Sequence, residues 1–396
     1  MPARIVLLPR RAKPFYARHP WVFPGAIGEI QGEPQDGEAV EVYSHGGAFI
    51  AHGLYNSKSR LRVRLYSWQF EQTIDEEFFR QRLSNAIAFR RDVLKLVGPN
   101  LGCRLVFSES DGLTGLTVDQ FDRYLVVQFT SLGLAKFRDV IVKQLIELTA
   151  PLGIYLRTER GIGEQEGLEL QDGLIWGTLP DHPLIIRETK VQFLVNLSEG
   201  QKTGFYLDQR ENHQAVARYA HGRRVLDAFS YSGGFGLHAA VQGAKEVICV
   251  DGSDNALELG KQNADMNHVA DRVQFVRSDV FKYLEQAIQQ NEKYGLITLD
   301  PPKFARAQAA IDTALKGYRR LLALSLQILE PDGILVLCCC SGVIKQQELE
   351  DIAAQVATEA KRPMQILERH GQPADHPISL ACPETSYLKC LIFRAP

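Results

Sequence analysis

The chain has 396 residues, 45% of them hydrophobic and 23% charged, with a formal net charge of −2. A chain of this length outgrows one hydrophobic core, so two or three domains are expected, and the composition is that of a folded globular protein. No apolar run reaches the ~20 residues of a membrane helix, so a membrane-embedded protein is not expected.

Cysteine usage indicates a reducing compartment. The seven cysteines are odd in number and include no Cys-x-x-Cys pair, which argues against a disulfide framework and against a zinc site. The first residues carry a basic side chain but no apolar core of a signal peptide. We therefore expect a cytoplasmic protein without a bound metal.

The first segment, 1–71, reads as a small β-barrel, because glycines punctuate short strand-like runs. Near its start stands the aromatic and basic cluster Arg18-His19-Pro20-Trp21-Val22-Phe23. Such a cluster can stack on nucleic-acid bases. Burial of Trp21 and Phe23 in the domain core is the favoured reading.

A basic stripe is predicted in the same segment. In Ser59–Leu65 the arginines Arg60, Arg62 and Arg64 alternate with apolar residues, so a strand would place all three on one face. With Arg18 and the other cations of the N-terminus, this pattern is typical of a surface that binds an RNA backbone. A solvated edge strand protected by its charges is the alternative.

The second segment, 72–185, is predicted to be a small α+β domain that links the other two. Helical spacing of apolar residues predicts a helix over 75–97 with Asp75 as its N-cap. Two strands around 116–118 and 124–129 and a second helix near 135–148 are expected to follow. This segment shows no catalytic constellation.

From 186 to 396 strand and helix patterns alternate, which predicts a doubly wound α/β sheet. The predicted strands are 225–227, 247–251, 273–277, 296–300, 333–339, 365–368 and 388–393.

The glycine-rich turn after the first of these strands predicts a cofactor pocket. Asp227 ends the strand, and Phe229, Ser230 and Gly233 follow in the turn. The turn lacks the Gly-x-Gly-x-x-Gly spacing of a dinucleotide site. It is on its own a weak signal, since many strand-to-helix turns contain glycine.

Two further carboxylates strengthen that signal. Asp251 ends the next strand, where it can accept hydrogen bonds from ribose hydroxyls, and Asp279 follows the third strand, where it can bind an adenine amine. Acidic residues after three successive strands are the layout of an S-adenosylmethionine pocket. Each aspartate singly also fits an ordinary capping role.

The loop before this unit, 201–210, mixes charges, a glycine and aromatic residues. Lys202, Thr203 and the backbone of Gly204 and Phe205 are candidates to hold the methionine end of the cofactor. A well-capped loop is the alternative.

Three adjacent cysteines, Cys338, Cys339 and Cys340, close an apolar run that reads as a buried parallel strand. A thiol at the C-terminal end of such a strand can be a nucleophile, and free cysteine can equally be a small buried hydrophobe. Cys340 stands last, before the Ser341-Gly342 loop, so it is the one expected to be exposed. The other two are expected to pack.

The chain resembles the bacterial large-subunit ribosomal RNA cytosine-5 methyltransferases that carry an N-terminal PUA domain, and the resemblance covers essentially its whole length. The motifs that carry it are 18–23, 109–113, 115–119, 203–210, 229–235, Asp300-Pro301-Pro302-Lys303-Phe304 and Cys340-Ser341-Gly342. The resemblance implies a PUA domain, a central α+β domain and a seven-stranded Rossmann-like methyltransferase domain with a reversed last hairpin.

That family methylates C5 of a cytosine through a covalent adduct. By resemblance, Cys340 matches the catalytic cysteine that adds to C6. Asp300 sits in a rigid proline turn, where it can bind N3 and the amine of the cytosine as well as face the methyl donor. Such a base must be single-stranded or flipped out of its helix.

At the residue after the proline turn, this chain differs from the wider cytosine-5 methyltransferases. The wider cytosine-5 methyltransferases often carry a second cysteine directly after the turn, where this chain has Lys303, so a second-cysteine role in product release is in doubt. Lys303 can contact RNA or be an ordinary solvated lysine.

Two other functions stay open at this point. Asp/Asn-Pro-Pro turns also serve methylation of an exocyclic amine of adenine or guanine, which needs no thiol. The second open function is that of a non-catalytic, RNA-binding ribosome assembly factor with a vestigial cofactor pocket. The expected partner is large-subunit ribosomal RNA, with no membrane, and a homodimer is left open.

Overall fold

A computed structural model describes residues 2–159, 161–197, 204–305 and 308–396. The chain divides into two compact units that do not follow one another along the sequence. The first contains 1–186, 195–207 and 374–385, and the second contains 187–194, 208–373 and 386–396. The chain thus leaves and re-enters each unit.

The N-terminal part of the first unit is a β-sheet with one short helix. Its elements are β1 (Ala3–Leu7), α1 (Lys13–Tyr16), β2 (Trp21–Val22), β3 (Ile27–Gln31), β4 (Ala39–Tyr43), β5 (Phe49–Tyr55) and β6 (Val63–Ser67). The strand order is β2-β6-β5-β4-β1-β3, with β1 parallel to β4 and the other pairs antiparallel. Alternate apolar residues such as Ile5, Leu7, Val40 and Val42 form its core.

The predicted basic stripe is wrong, because the strand begins later than expected. β6 starts at Val63, so Arg60 and Arg62 precede it and share no strand face with Arg64. Arg60 is exposed, and the guanidinium of Arg62 donates to backbone carbonyls of the preceding turn.

Arg64 is buried rather than presented to solvent. Its Nη2 lies 3.1 Å from Oε1 of Glu166, and its Nη1 lies 3.5 Å from Oε1 of Glu109. A buried guanidinium is stable only with such partners. They come from distant parts of the sequence, so the local alternation pattern could not reveal them.

The aromatic cluster is only partly core. Val22 is fully buried, whereas Phe23 is 48% exposed, so the core prediction is wrong for Phe23. Trp21 is half-buried, and its indole Nε1 donates to Oε1 of Glu109 at 3.0 Å.

The central part of the first unit has the α+β composition that was predicted. It contains α2 (Glu76–Ala88), β7 (Gly102–Phe107), β8 (Leu116–Phe121), β9 (Tyr124–Phe129), α3 (Leu132–Ala135), α4 (Arg138–Thr149), β10 (Gly153–Leu156), α5 (Ile162–Glu166) and β11 (Gly173–Gly177). The sheet order is β11-β10-β9-β8-β7.

The first central helix is shorter than predicted. Asp75 caps α2 as expected, accepting a hydrogen bond from the backbone N of Phe78 at 2.9 Å. A π-helical segment, Phe89–Val93, then replaces the α-helix. The wider turn shifts the apolar stripe, which explains why Val93 is 67% exposed despite its helical spacing.

A short hairpin, β12 (Leu184–Glu188) and β13 (Val191–Val195), precedes the α/β part of the second unit. The remaining elements are α6 (Arg210–Ala217), β14 (Arg224–Ala228), α7 (Gly234–Val241), β15 (Glu246–Asp251), α8 (Asp254–Met266), β16 (Val273–Arg277), α9 (Val280–Gln289), β17 (Tyr294–Leu299), α10 (Ile311–Ile328), β18 (Leu329–Cys339), α11 (Gln346–Glu359), β19 (Gln365–His370) and β20 (Lys389–Ala395).

These strands form a doubly wound sheet of seven strands, within the described ranges, in the order β16-β15-β14-β17-β18-β20-β19. The first five are parallel, and β20 is antiparallel to both β18 and β19, which is the reversed last hairpin. Every predicted strand of this sheet is present. The parallel strands are buried on both faces, so each reads as an apolar run in the sequence.

Among the described helices, none combines the length and the apolar character needed to cross a membrane.

Candidate active site

The register of the sheet brings the predicted site residues to one edge. Ala228 at the end of β14 pairs with Val250 of β15 and with Leu299 of β17. Leu299 pairs in turn with Leu337 of β18. The residues that follow these positions therefore leave the sheet at the same carboxyl edge, where α/β proteins bind ligands.

Asp227 is a buried carboxylate that can accept a further hydrogen bond. It is 1% exposed, and its Oδ2 accepts a hydrogen bond from the backbone N of Gly236 at 2.8 Å. Its Oδ1 has no hydrogen-bond partner among the described residues. Burial raises the pKa of Asp227 to about 7, against the opposing effects of the Gly236 hydrogen bond and of His213.

The turn after β14 has a constrained backbone. Phe229, Tyr231 and Gly233 have φ values of 63°, 48° and 88°, in the left-handed region. Such strain in non-glycine residues occurs typically where a loop is shaped for a ligand. The hydroxyl of Ser230 in this turn is buried and also lacks a protein partner.

Gly236 lets α7 begin directly over the sheet. A Cβ at this position would lie 2.5 Å from Sγ of Cys249 and 3.1 Å from Oδ2 of Asp227. Only glycine permits this approach, which points the first amides of α7 toward the carboxylate of Asp227.

A buried acid and two histidines lie beside the start of α7. Oε2 of Glu188 is 2.8 Å from Nδ1 of His213 and 3.7 Å from Nε2 of His238. Burial and the neighbouring His213 lower the pKa of His238 to about 4, so this ring is neutral at pH 7. A Cβ at Gly234 would lie 2.6 Å from Nε2 of His213, so the cluster packs directly against the turn.

Asp251 and Asp279 differ in their surroundings. Asp251 accepts hydrogen bonds from the backbone N of Tyr231 and of Ser253, both at 2.9 Å, which ties it to the turn after β14. Asp279 is exposed and caps α9 through the backbone N of Lys282 at 3.0 Å.

The three adjacent thiols have different environments. Cys338 and Cys339 are fully buried, whereas Cys340, directly after β18, is partly exposed. The other free cysteines of the chain are also buried. Burial, the Cys390 thiol and the Asp300 carboxylate raise the pKa of Cys338, which keeps this thiol protonated.

Asp300 is held by a side chain from a separate motif. Its Oδ2 accepts a hydrogen bond from Nε2 of Gln209 at 2.9 Å. Gln209 is itself oriented by Nδ2 of Asn212, which donates to its Oε1 at 2.6 Å. Gln209 thus positions the proline-turn carboxylate.

Two family models match the chain. The model described as S-adenosylmethionine-dependent methyltransferase covers residues 176–394, and the one described as PUA-like domain covers 5–68. Proteins named ribosomal RNA large subunit methyltransferase I are similar over the whole length. That of Aeromonas hydrophila is 43% identical over 100% of both chains, and that of Aeromonas salmonicida is 42% identical over 99% of both.

The chain belongs to the ribosomal RNA large subunit methyltransferase I family.

A solved structure from Streptococcus mutans, described as a SAM-dependent methyltransferase, shares the fold of this family member. The two superpose with a TM-score of 0.84 at 20% sequence identity, over 100% of each chain.

The pocket of this S-adenosylmethionine-dependent methyltransferase suits its cofactor, because that cofactor is a cation with polar groups at both ends. The unpartnered Oδ1 of Asp227 and the unpartnered hydroxyl of Ser230 are buried polar atoms that a bound ligand can satisfy. Lys202 and Thr203 lie outside the described residues. Gly204 and Phe205 lie in the first unit.

Two residues around the candidate nucleophile, Tyr318 and Lys389, were not found by sequence reasoning. Burial, the thiols of Cys339 and Cys340 and the carboxylate of Asp300 raise the pKa of the Tyr318 hydroxyl, which places all three groups near it. Nζ of Lys389 donates to the carbonyl of Ser341 at 2.8 Å.

No local signal in the sequence linked Tyr318 of α10 or Lys389 of β20 to the site. Gln209 lies in the motif 203–210 that carries the family resemblance, but its contact with Asp300 was not predicted. Lys303, which was a candidate for RNA contact, is exposed.

Proposed function

We propose that this methyltransferase modifies C5 of a cytosine in large-subunit ribosomal RNA through a covalent adduct between Sγ of Cys340 and C6 of the base. The observation that carries the proposal is the partial exposure of Cys340 at the carboxyl edge of the sheet, beside buried Cys338 and Cys339. The printed name of the relatives supports ribosomal RNA as the substrate.

The reaction begins with addition to the base. The Cys340 thiolate forms a bond from Sγ to C6, which breaks the π bond between C5 and C6. Asp300 delivers a proton to N3 so that the displaced electrons rest on a neutral ring. C5 is now an enamine carbon and therefore a nucleophile.

The bound cofactor supplies a methyl group as an electrophile on its positively charged sulfur. After C5 carries that group, a base removes the C5 proton. The electron pair of the C–H bond restores the C5=C6 double bond, the Sγ–C6 bond breaks to return the thiolate, and N3 returns its proton to Asp300.

Lys389 stabilises the reactive thiolate in this proposal. It is 8% exposed, and its ammonium group interacts with the thiols of Cys339 and Cys340 and with Glu348. Burial lowers the pKa of Lys389, and those neighbours oppose the shift. A cation beside a thiol lowers the thiol pKa by the same interaction.

Gln209 and Asp300 position the base. The hydrogen bond from Gln209 to Oδ2 of Asp300 fixes the orientation of the carboxyl group that is proposed to bind N3. Because two prolines follow Asp300, its backbone is rigid and the carboxyl group is held in place.

The test is loss of the thiol. Cys340→Ala is expected to abolish methyl transfer to ribosomal RNA, by at least about a thousandfold, while calorimetry still detects cofactor binding. RNA containing 5-fluorocytosine is expected to form a denaturation-resistant adduct with the unmodified protein, because fluorine at C5 cannot leave as a proton does. Cys103→Ala, a buried thiol of the central sheet, is the matched control and should keep both activities.

Full methyl transfer by Cys340→Ala would overturn the covalent mechanism and favour methylation of an exocyclic amine. Absence of cofactor binding by the unmodified protein would favour a non-catalytic assembly factor. Mapping of 5-methylcytosine in ribosomal RNA from cells with and without the protein would identify the base.

We also propose a cytoplasmic location for the reaction. All seven cysteines are free, which fits a reducing compartment.

A further inference from the structure

Two motifs of the sequence have no part in methyl transfer, and both line one groove of the first unit. They are the segment that begins at Arg18 and the segment Glu109–Gly112. The groove has a volume of about 350 Å³, which is within the range of small-ligand sites. Convergence of two unused motifs on one cavity indicates a ligand site.

The acidic groups of the groove are already satisfied from within the protein. Oε1 of Glu109 accepts from Nε1 of Trp21 at 3.0 Å and from Oγ1 of Thr114 at 2.7 Å. Oδ1 of Asp111 accepts from Nη1 of Arg90 at 2.7 Å. These contacts hold both carboxyl groups in the wall of the groove.

The two arginines that line the groove are not neutralised in this way. Arg18 and Arg82 form no ion pair within 4.0 Å among the described residues. Arg18 is exposed, whereas Arg82 is half-buried, with its guanidinium 5.3 Å from the ring centroid of Phe78. Burial and the charge of Arg18 lower the pKa of Arg82, so the two cations are close enough to repel each other.

The backbone on the other wall is shaped to admit Arg82. Gly112 has a φ of +68°, and a Cβ there would lie 3.3 Å from Nη1 of Arg82. The remaining lining includes the amide of Asn85 and the half-buried rings of Trp68 and Phe89. Two guanidinium groups without an acidic partner among the described residues, in a groove also lined by half-buried rings, suit an anion attached to a flat or sugar-like body.

We propose that Arg18 and Arg82 together bind one backbone phosphate of the RNA substrate in this groove. Paired guanidinium groups are the usual protein ligands of phosphate, and each presents several N–H donors in fixed geometry. The phosphate relieves the repulsion between the two cations, which is a gain that a neutral ligand cannot supply. The proposal rests on the proposed function, because it takes the substrate to be RNA.

The test measures RNA affinity against salt concentration. Full-length protein is titrated with a protein-free large-subunit ribosomal RNA transcript, and the variants are Arg18→Gln, Arg82→Gln and the double variant. The double variant is expected to bind about tenfold more weakly at low salt. The slope of log affinity against log salt should fall by about 1, the value for one lost phosphate contact.

Arg80→Gln is the matched control. Arg80 lies on the same helix but outside the groove, with an exposed side chain 3.9 Å from Glu147, so its loss should leave the slope unchanged. Arg82→Lys keeps the charge but loses the fixed donor geometry, so it should restore the salt slope and only part of the affinity. Thermal unfolding of each variant separates lost binding from lost folding.

The inference is overturned if the double variant, folded as well as the unmodified protein, binds the transcript with unchanged affinity and salt slope. That outcome leaves the proposed function intact when the unmodified protein still forms 5-methylcytosine. Failure of the proposed function is a different result, in which the unmodified protein binds the transcript but forms no 5-methylcytosine.

Discussion

Asp227 shows how one residue couples folding to ligand binding. Its carboxyl group is buried at the end of β14, with one oxygen bound by Gly236 and the other unpartnered. Burial raises the pKa of Asp227 to about 7, which means that the group is ionised only above that pH. A cationic cofactor prefers the ionised form.

We therefore expect cofactor affinity to depend on pH. The dissociation constant of S-adenosylmethionine should rise about tenfold between pH 8 and pH 6, because the ionised fraction of a group with a pKa of 7 falls by that factor. Isothermal titration calorimetry at several pH values measures it. Asp227→Asn should bind weakly at all of them and lose the pH dependence.

Asp254→Asn is the control for this measurement. Asp254 lies on α8 in the same unit, with an exposed side chain paired to Arg277, so its loss should not alter the pH profile. A dissociation constant that stays constant between pH 8 and pH 6 would contradict the role of Asp227.

At the scale of elements, the reversed last hairpin matters for the thiol. β20 lies antiparallel to β18, and Lys389 pairs with Cys339 in that register. The backbone register thus carries a lysine to the end of the strand that precedes Cys340. A parallel strand at this position would have left its C-terminal end, rather than its N-terminal end, beside the thiols.

Lys389→Met should slow adduct formation with 5-fluorocytosine RNA by about tenfold at pH 7. Methionine keeps much of the stem of the side chain but removes the charge, so the pKa of Cys340 rises, and one unit of pKa is a tenfold loss of thiolate below that pKa. The pH profile of adduct formation should shift to higher pH, and cofactor affinity should not change.

The shifted profile separates an electrostatic role from a structural one, because a merely loosened site would lose rate at every pH. Lys261→Met, an exposed lysine of α8 in the same unit, serves as the control. An unshifted profile in Lys389→Met would show that the ammonium group does not act on the thiol.

At the scale of the whole molecule, each unit is built from segments that are separate in the sequence. The segment 374–385 belongs to the first unit although it follows most of the second in sequence. Arg90, which is fully buried, joins it to the central domain, with Nη2 donating to the carbonyl of Asp375 at 2.9 Å and Nη1 to Asp111 at 2.7 Å. The segment 374–385 therefore helps to complete the first unit, most of which lies before residue 187.

Arg90→Leu is expected to lower the free energy of unfolding of the first unit by about 3–5 kcal/mol, since it removes the cation that pairs with the largely buried Asp111 and binds the carbonyl of Asp375. Urea unfolding followed by circular dichroism measures the change. Arg91→Leu removes a neighbouring exposed arginine, 52% exposed and paired with Asp92, and should change the value by less than about 0.5 kcal/mol. Equal effects of the two changes would contradict the structural role of Arg90.

The methyltransferase sheet could be predicted almost strand by strand. Its strands are short apolar runs with turn residues between them, and that periodicity is a local property of the sequence. The same reasoning failed at Arg64, where alternation indicated an exposed stripe. A local pattern cannot show that Glu109 and Glu166 fold back to bury the guanidinium.

The sequence by itself determined the α/β class, the turn after Asp227 and the candidacy of Cys340, because each depends on residues adjacent along the chain. The expected exposure of Cys340 is confirmed, whereas only the tertiary structure decided that Gln209 holds Asp300. It alone brought Lys389 beside the thiols and set Arg18 and Arg82 in one groove. Burial and charge pairing are sums over neighbours distant in sequence, so they exist only once the chain has folded.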